Sequence, residues 1–198
     1  MTDGRVTRGR RTREAIVEAT IALLREDGAA AVTHRAVAAR AGTSLAATTY
    51  HFATLDDLLV VAFELLTDRM VEEVERLAEL VLSGRMDLVE AAITFVEEVD
   101  ADEDFVADGM IELAYGAIRN ERLRKPTQRL VDHMGEPFAE LIGGESARVL
   151  IRALNGMLLH HRAAGPDAST GELRSDVAVL FEHFGLTTAV RHRLEEES

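Results

Sequence analysis

The sequence predicts an all-α protein with a small three-helix head and a larger helical body, about nine helices in all. Three observations lead there. Apolar residues recur at spacings of three and four along most of the chain. No stretch keeps a period of two, and no Asn-Gly or Asp-Gly turn joins two β-branched runs. The gaps between stripes hold the residues that stop and start helices, Gly after one stripe and Ser, Thr or Asp before the next.

The elements follow in order. Residues 10–26 form a helix with Ile16, Ala19, Leu23 and Leu24 inward, closed by Gly28, where a left-handed residue ends a helix cheaply. Thr33 caps a short helix whose inner face is Val37, Ala38 and Ala41, and Gly42 ends it. Ser44 caps a second short helix that runs to about His51. Thr54, followed three residues later by Asp57, resembles a capping box. It opens a long helix with the stripe Leu58, Leu59, Ala62, Phe63, Leu66, Met70, Val74, Leu77 and Val81. Further helices are predicted over about 87–99, 103–120, 126–142, 145–164 and 170–185. Their breaks lie at Ser83-Gly84, at Asp102 as an N-cap, at Lys125-Pro126, at Gly143-Gly144 and at Gly165-Pro166. The head is bounded at 1–54 and the body at 55–198, with the helix from Leu55 linking them.

Composition narrows the function classes. The 198 residues are 47% hydrophobic and 29% charged, enough to bury a sizeable core. Without cysteine there is no disulfide framework, Cys-ligated zinc, iron-sulfur cluster or thiol sensor, and a reducing cytoplasm is the expected location. The longest stretch free of Asp, Glu, Lys and Arg, Ala41 to Leu55, is too short and too polar to span a bilayer. Arg5, Arg8, Arg10, Arg11 and Arg13 lead into a patterned helix rather than an apolar signal segment, and read as a basic arm. Residues 1–54 carry eight Arg against five acids, whereas the remainder carries 14 basic residues against 30 acidic ones. A mildly basic head on a strongly acidic body suits a head that meets nucleic acid.

The two short helices around Ala41-Gly42-Thr43-Ser44 form a helix-turn-helix, the arrangement in which a second helix enters the major groove. The run Thr33-His34-Arg35-Ala36-Val37-Ala38-Ala39-Arg40-Ala41-Gly42-Thr43-Ser44, then Tyr50-His51-Phe52 and Asp56-Asp57-Leu58-Leu59, closely resembles the signature of the TetR (tetracycline-repressor) family of bacterial regulators. The resemblance covers about residues 10–60. It implies a ligand-responsive repressor, a homodimer whose heads bind a palindromic double-stranded operator and whose bodies pair and hold a small-molecule effector.

By position, the resemblance implies that Thr33, Tyr50 and His51 hold phosphates, while His34, Arg35, Ser44, Leu45, Ala46, Ala47 and Thr49 face the major groove. The chemistry agrees: hydroxyl and imidazole donors suit phosphate oxygens, and Arg35 is able to pair with O6 and N7 of guanine. Leu45, Ala46 and Ala47 offer only apolar contacts, so specificity leans on Arg35 and on DNA shape. Leu55, Thr49 and Thr48 depart from the family pattern, which has Lys, an aromatic and an inward Leu at those places; fewer ionic contacts follow. Phe52 is read as a head-core aromatic, and Tyr50 stands open to that reading as well.

In the body, Leu150, Ala153, Leu154, Met157, Leu158 and His161 share one helix face, and Leu173, Val177, Leu180, Phe181 and Phe184 share another. The resemblance implies that these two helices pair with their copies in a four-helix dimer seam made by Leu150, Leu154, Met157, Leu158, His161, Val177, Leu180, Phe181 and Phe184. An intramolecular core is the other reading of the same stripes. Polar residues in apolar runs, Tyr115, Asn120, His133, Asn155 and His160, are the candidates for effector contacts, with a satisfied core amide as the alternative for Asn155. The effector is expected to be small, largely apolar, and neutral or cationic.

Ten acids and no Lys or Arg lie between Met86 and Ile118. Asp100, Asp102 and Asp104 alternate as in a calcium loop, but Phe105 and Ile111 stand where that loop needs Gly and Glu, so no metal is expected. No zinc helix, di-iron pair, nucleophile elbow or phosphate loop occurs in the chain, so no enzyme activity and no cofactor are expected. The alternatives are a TetR-like activator, or an all-helical binding protein or enzyme without DNA function.

Overall fold

The computed structural model describes residues 3–101, 107–165 and 168–196. Among them the chain is helical with no strand, in the order α1 (Asp3–Asp27), α2 (His34–Arg40), α3 (Leu45–His51), α4 (Leu55–Leu82), α5 (Leu88–Ala101), α6 (Ala107–Gly116), α7 (Arg124–Ile142), α8 (Gly144–Ala163), α9 (Thr170–His183) and α10 (Leu186–Glu196). Short 3-10 turns occupy Ala29–Ala31 and Glu121–Leu123. The all-α expectation holds. The Asp102 cap and the Asp102, Asp104 and Phe105 positions of the metal argument lie outside the described residues, as does Pro166.

Three differences from the sequence reading have local causes. Helix α1 begins at Asp3 rather than near residue 10, so the basic arm forms the first turns of the helix. There Thr12 donates its hydroxyl to the Arg8 carbonyl (3.0 Å), and Arg10 lies 3.5 Å from Glu14 one turn on. Helix α6 ends at Gly116 rather than near 120, because Asn120 caps the following 3-10 turn through its own side chain. A tenth helix, α10, follows Gly185, whose φ of 69° breaks α9 and lets the chain restart. Its stripe is Leu186, Val190 and Leu194, spaced by four.

The chain divides into two compact units, one made of 1–67 with 102–127 and the other of 68–101 with 128–198. The first unit buries Ile16, Leu24, Val37, Leu58, Phe63 and Leu66 almost completely. Its start signals are those the sequence offers. Thr33 Oγ1 accepts from Ala36 N (3.1 Å) and Ser44 Oγ from Ala47 N (3.0 Å). The Thr54 box is reciprocal: Asp57 N donates to Thr54 Oγ1 and Thr54 N donates to Asp57 Oδ2, each at 3.1 Å. Gly42, at φ 61°, makes the turn between α2 and α3.

The second unit gathers α5, α8, α9, α10 and parts of α4 and α7 around Leu77, Ile93, Leu150, Leu173, Val177, Phe181 and Leu186. Burial here corrects part of the predicted dimer seam. Leu150, Val177 and Phe181 are at most 3% exposed within the single chain, enclosed by its own helices. Leu154, Met157, Leu180 and Phe184 pack against the same cluster. An amphipathic stripe requires an apolar neighbour, and here the neighbour belongs to the same chain.

Candidate functional site

The helix-turn-helix is built by short-range chemistry and pinned by one longer link. Arg40, at the end of α2, makes a two-bonded fork to Glu26 of α1 (2.7 and 2.5 Å). The Arg40 hydrogen bond holds the Glu26 carboxyl below its ordinary range, and Glu26 in turn raises the guanidinium. Beneath α3, Thr48 is fully buried where the family pattern has Leu, and its hydroxyl donates to the Ser44 carbonyl (3.2 Å), so the polar atom is satisfied. Phe52 is 3% exposed, the core aromatic the sequence indicates, and the Arg13 guanidinium lies 5.0 Å above its ring.

The predicted contact residues emerge on the outer face of this scaffold. Thr33, Arg35, Ser44, Leu45, Ala46, Thr49 and Tyr50 are exposed, while His34, Ala47 and His51 are half-buried. Tyr50 is 85% exposed, which removes it from the head core, and its ring meets His51 edge-on at 5.3 Å. Thr33 and Ser44 use oxygen lone pairs for capping, which leaves their hydroxyl protons for an outside acceptor. The Thr49 hydroxyl already donates to the Leu45 and Ala46 carbonyls (3.1 and 3.2 Å), so the side chain presents its methyl group. The Nε2 atom of His34 is enclosed without a hydrogen-bond partner among the described residues. Leu55 is half-buried, with no cation in its place.

Directly after α3, the start of α4 is held by a segment distant in sequence. Asn120 Nδ2 donates to Asp56 Oδ1 (2.9 Å), and Arg122 bonds Asp57 and, at 3.3 Å, Thr54 Oγ1. The Thr54 hydroxyl first, and Arg122 with it, keep the Asp57 carboxyl below its usual range. This clamp was not visible in the sequence, since its partners lie 64 to 68 positions apart.

Of the five polar candidates for effector contacts, one lines a cavity. In the second unit a partly open cavity of about 110 Å³ lies between α4, α5, α7, α8, α9 and α10, and Asn155 is the only polar side chain among the described residues that line it. Leu154, Met157 and Leu158, predicted for the seam, line it too. The remaining candidates sit elsewhere: the Asn120 amide is spent on Asp56, Tyr115 belongs to the first unit and is 54% exposed, His160 is exposed, and His133 is half-buried outside the lining. His161 is half-buried.

The family model described as bacterial regulatory proteins, tetR family, matches residues 16–62, the segment that carries the clamp's acids, the turn and every predicted contact residue of the head. The head therefore resembles the DNA-binding segment of the tetR family. The chain is 31% identical over 126 residues to the HTH-type transcriptional regulator CymR of Pseudomonas putida. That match takes in 63% of this chain and spans 60% of the length of the relative. Among solved structures, the multidrug binding protein EbrR complexed with ethidium is 28% identical, with a TM-score of 0.73 over 85% of this chain and 98% of that one. A TetR-family member from Streptomyces coelicolor A3 is 27% identical, with a TM-score of 0.72 over 85% and 97%. CymR is a transcriptional regulator by name. Among the described residues no helix is long and apolar enough to cross a membrane, and no cluster of three metal-ligating side chains occurs.

Proposed function

We propose that this chain is a ligand-responsive transcriptional repressor acting in the cytoplasm as a homodimer on a palindromic operator. The carrying observation is the outer face of the head, where both short helices start at capped ends, Arg35 is exposed, and Tyr50 is 85% exposed with no partner among the described residues except the His51 ring. Functionally the head is 1–54 and the pairing and effector-binding part follows from 55, with 102–127 packing into the head's unit. Thr33, Tyr50 and His51 hold phosphates, and His34, Arg35, Ser44, Leu45, Ala46, Ala47 and Thr49 meet base edges.

Pairing uses the outward faces of α8 and α9. Val149 is 46% exposed and Val179 71% exposed, and Gly156, a position along α8 from Val149 that shares its face, has open space beside it. A small residue flanked by exposed apolar ones suits close helix approach across a two-fold axis. The effector enters the α4–α10 cavity and meets Asn155; EbrR, a related protein of similar fold, is seen with imidazole and with ethidium.

Gel-shift titration on operator and random duplexes tests the reading. Arg35→Ala should cost about 1–3 kcal/mol on the operator and little on random DNA, since a bidentate guanine contact carries sequence information. Tyr50→Phe should weaken both duplexes alike, with a strong salt dependence throughout. Equal losses for Arg35→Ala on the two duplexes would remove its base-reading role, and a wild-type chain with no affinity for its own upstream region would remove the function.

A further inference from the structure

We infer that the effector cavity is selective for a neutral, one-ring molecule with a single hydrogen-bonding group, and rejects carboxylates and cations of the same size. The inference rests on the effector reading above and narrows its chemistry.

Size comes first. A space of about 110 Å³, below the 150 Å³ of an apolar cavity that admits benzene in another protein, limits the occupant to a single ring, and because the space is partly open a short substituent is able to extend past its mouth. Polarity follows from the wall. Phe95, Phe138 and Phe181 and a set of Leu, Val, Ile, Met, Ala and Pro side chains surround the space, and among the described residues Asn155 alone interrupts them. Its side-chain amide has no hydrogen-bond partner among the described residues, so it is able to give or take one bond with whatever enters.

Charge is decided by what the wall and its surroundings lack and hold. No described lining residue is ionisable, so an ion inside would lose its water with no opposite charge in return. A carboxylate is opposed twice. An open groove next to the cavity shares Ala78, Leu82 and Pro137 with it and carries Glu75, Glu79, Glu136 and Glu140, all exposed. These four acids repel an approaching anion. For a cation they offer only attraction through water, which salt screens within about 8 Å and which ends where the dry wall begins. The phenyl faces offer a cation less than its lost hydration.

The test is calorimetric titration of the full chain at pH 7 with four probes of one shape: p-cresol, toluene, p-toluate and 4-methylbenzylammonium. The expected order is p-cresol first, toluene about five-fold weaker, and the two ions at least ten-fold weaker than p-cresol. Asn155→Leu should bring p-cresol down to the toluene level and leave toluene unchanged. Ala92→Phe, which places a ring in the space, should abolish all binding while circular dichroism reports an intact helical fold. An ion binding as tightly as p-cresol overturns the inference, as does a wild-type chain that binds none of the four. Operator release is scored separately. Release by 4-methylbenzylammonium but not by p-cresol would leave the effector reading standing and sink the selectivity. Binding of p-cresol without release would do the reverse.

Discussion

Phe181 separates core from seam. Its ring is 1% exposed and packs with Leu150, Leu173, Val177 and Leu186, with one side on the cavity. Truncating a buried Phe to Ala costs about 3–5 kcal/mol. Because the cavity already deprives one face of partner atoms, the expected loss for Phe181→Ala lies near the lower bound, about 3 kcal/mol. With a urea slope of about 2 kcal/mol per molar, that lowers the midpoint by about 1.5 M. The assay is urea unfolding followed by helical circular dichroism at one fixed protein concentration, since association adds to apparent stability. Val179→Ala, at a position 71% exposed, is the control and should move stability by less than about 0.5 kcal/mol. Phe181→Leu, which keeps most of the volume at a cost of about 1 kcal/mol, should retain the wild-type mass by light scattering. Val179→Glu should instead halve that mass. Dissociation of Phe181→Leu at an unchanged midpoint would refute the reasoning and return this stripe to the interface.

Two further outcomes follow from the head. Gly42→Ala meets no neighbour within 4 Å, but at φ 61° the added Cβ opposes the left-handed backbone, so it should cost about 1 kcal/mol, read as a lower melting temperature; an unchanged melting point would show that the turn does not need glycine. Asp57 has a lowered folded-state pKa, so its contribution is complete above the ordinary value of 3.8 and fades as the pH falls through the folded value. Asp57→Asn should therefore be less stable than the wild type at pH 6 and converge with it below pH 3.8, and a gap that persists in acid would assign the loss to something other than the carboxylate.

What was legible in the sequence is what acts over three or four residues. Thr33, Ser44 and Thr54 cap the helices they were expected to cap, because a capping bond joins a side chain to a backbone N–H two or three residues on. The head's outer face was legible for the same reason: once Val37, Ala38, Thr48 and Phe52 turn inward, the positions between them have only one direction left. Tyr50 was the ambiguous case, and its exposure follows from Phe52 taking the core place two residues later. Periodicity failed where it reports a face but not the face's partner. The stripes of α8 and α9 are real, yet Leu150 and Phe181 look the same in sequence whether they meet α5 and α10 or a second chain, and α10 itself, with Leu186, Val190 and Leu194 among charged neighbours, was missing from the count. Polar residues failed differently. Asn120 and Asn155 are the same residue type on a helical chain, but one amide is consumed by Asp56, 64 positions away, and the other opens into a cavity. No local rule separates them, because the difference lies in what the remote chain brings to each: a carboxylate at the start of α4 in the first case, and only hydrocarbon in the second.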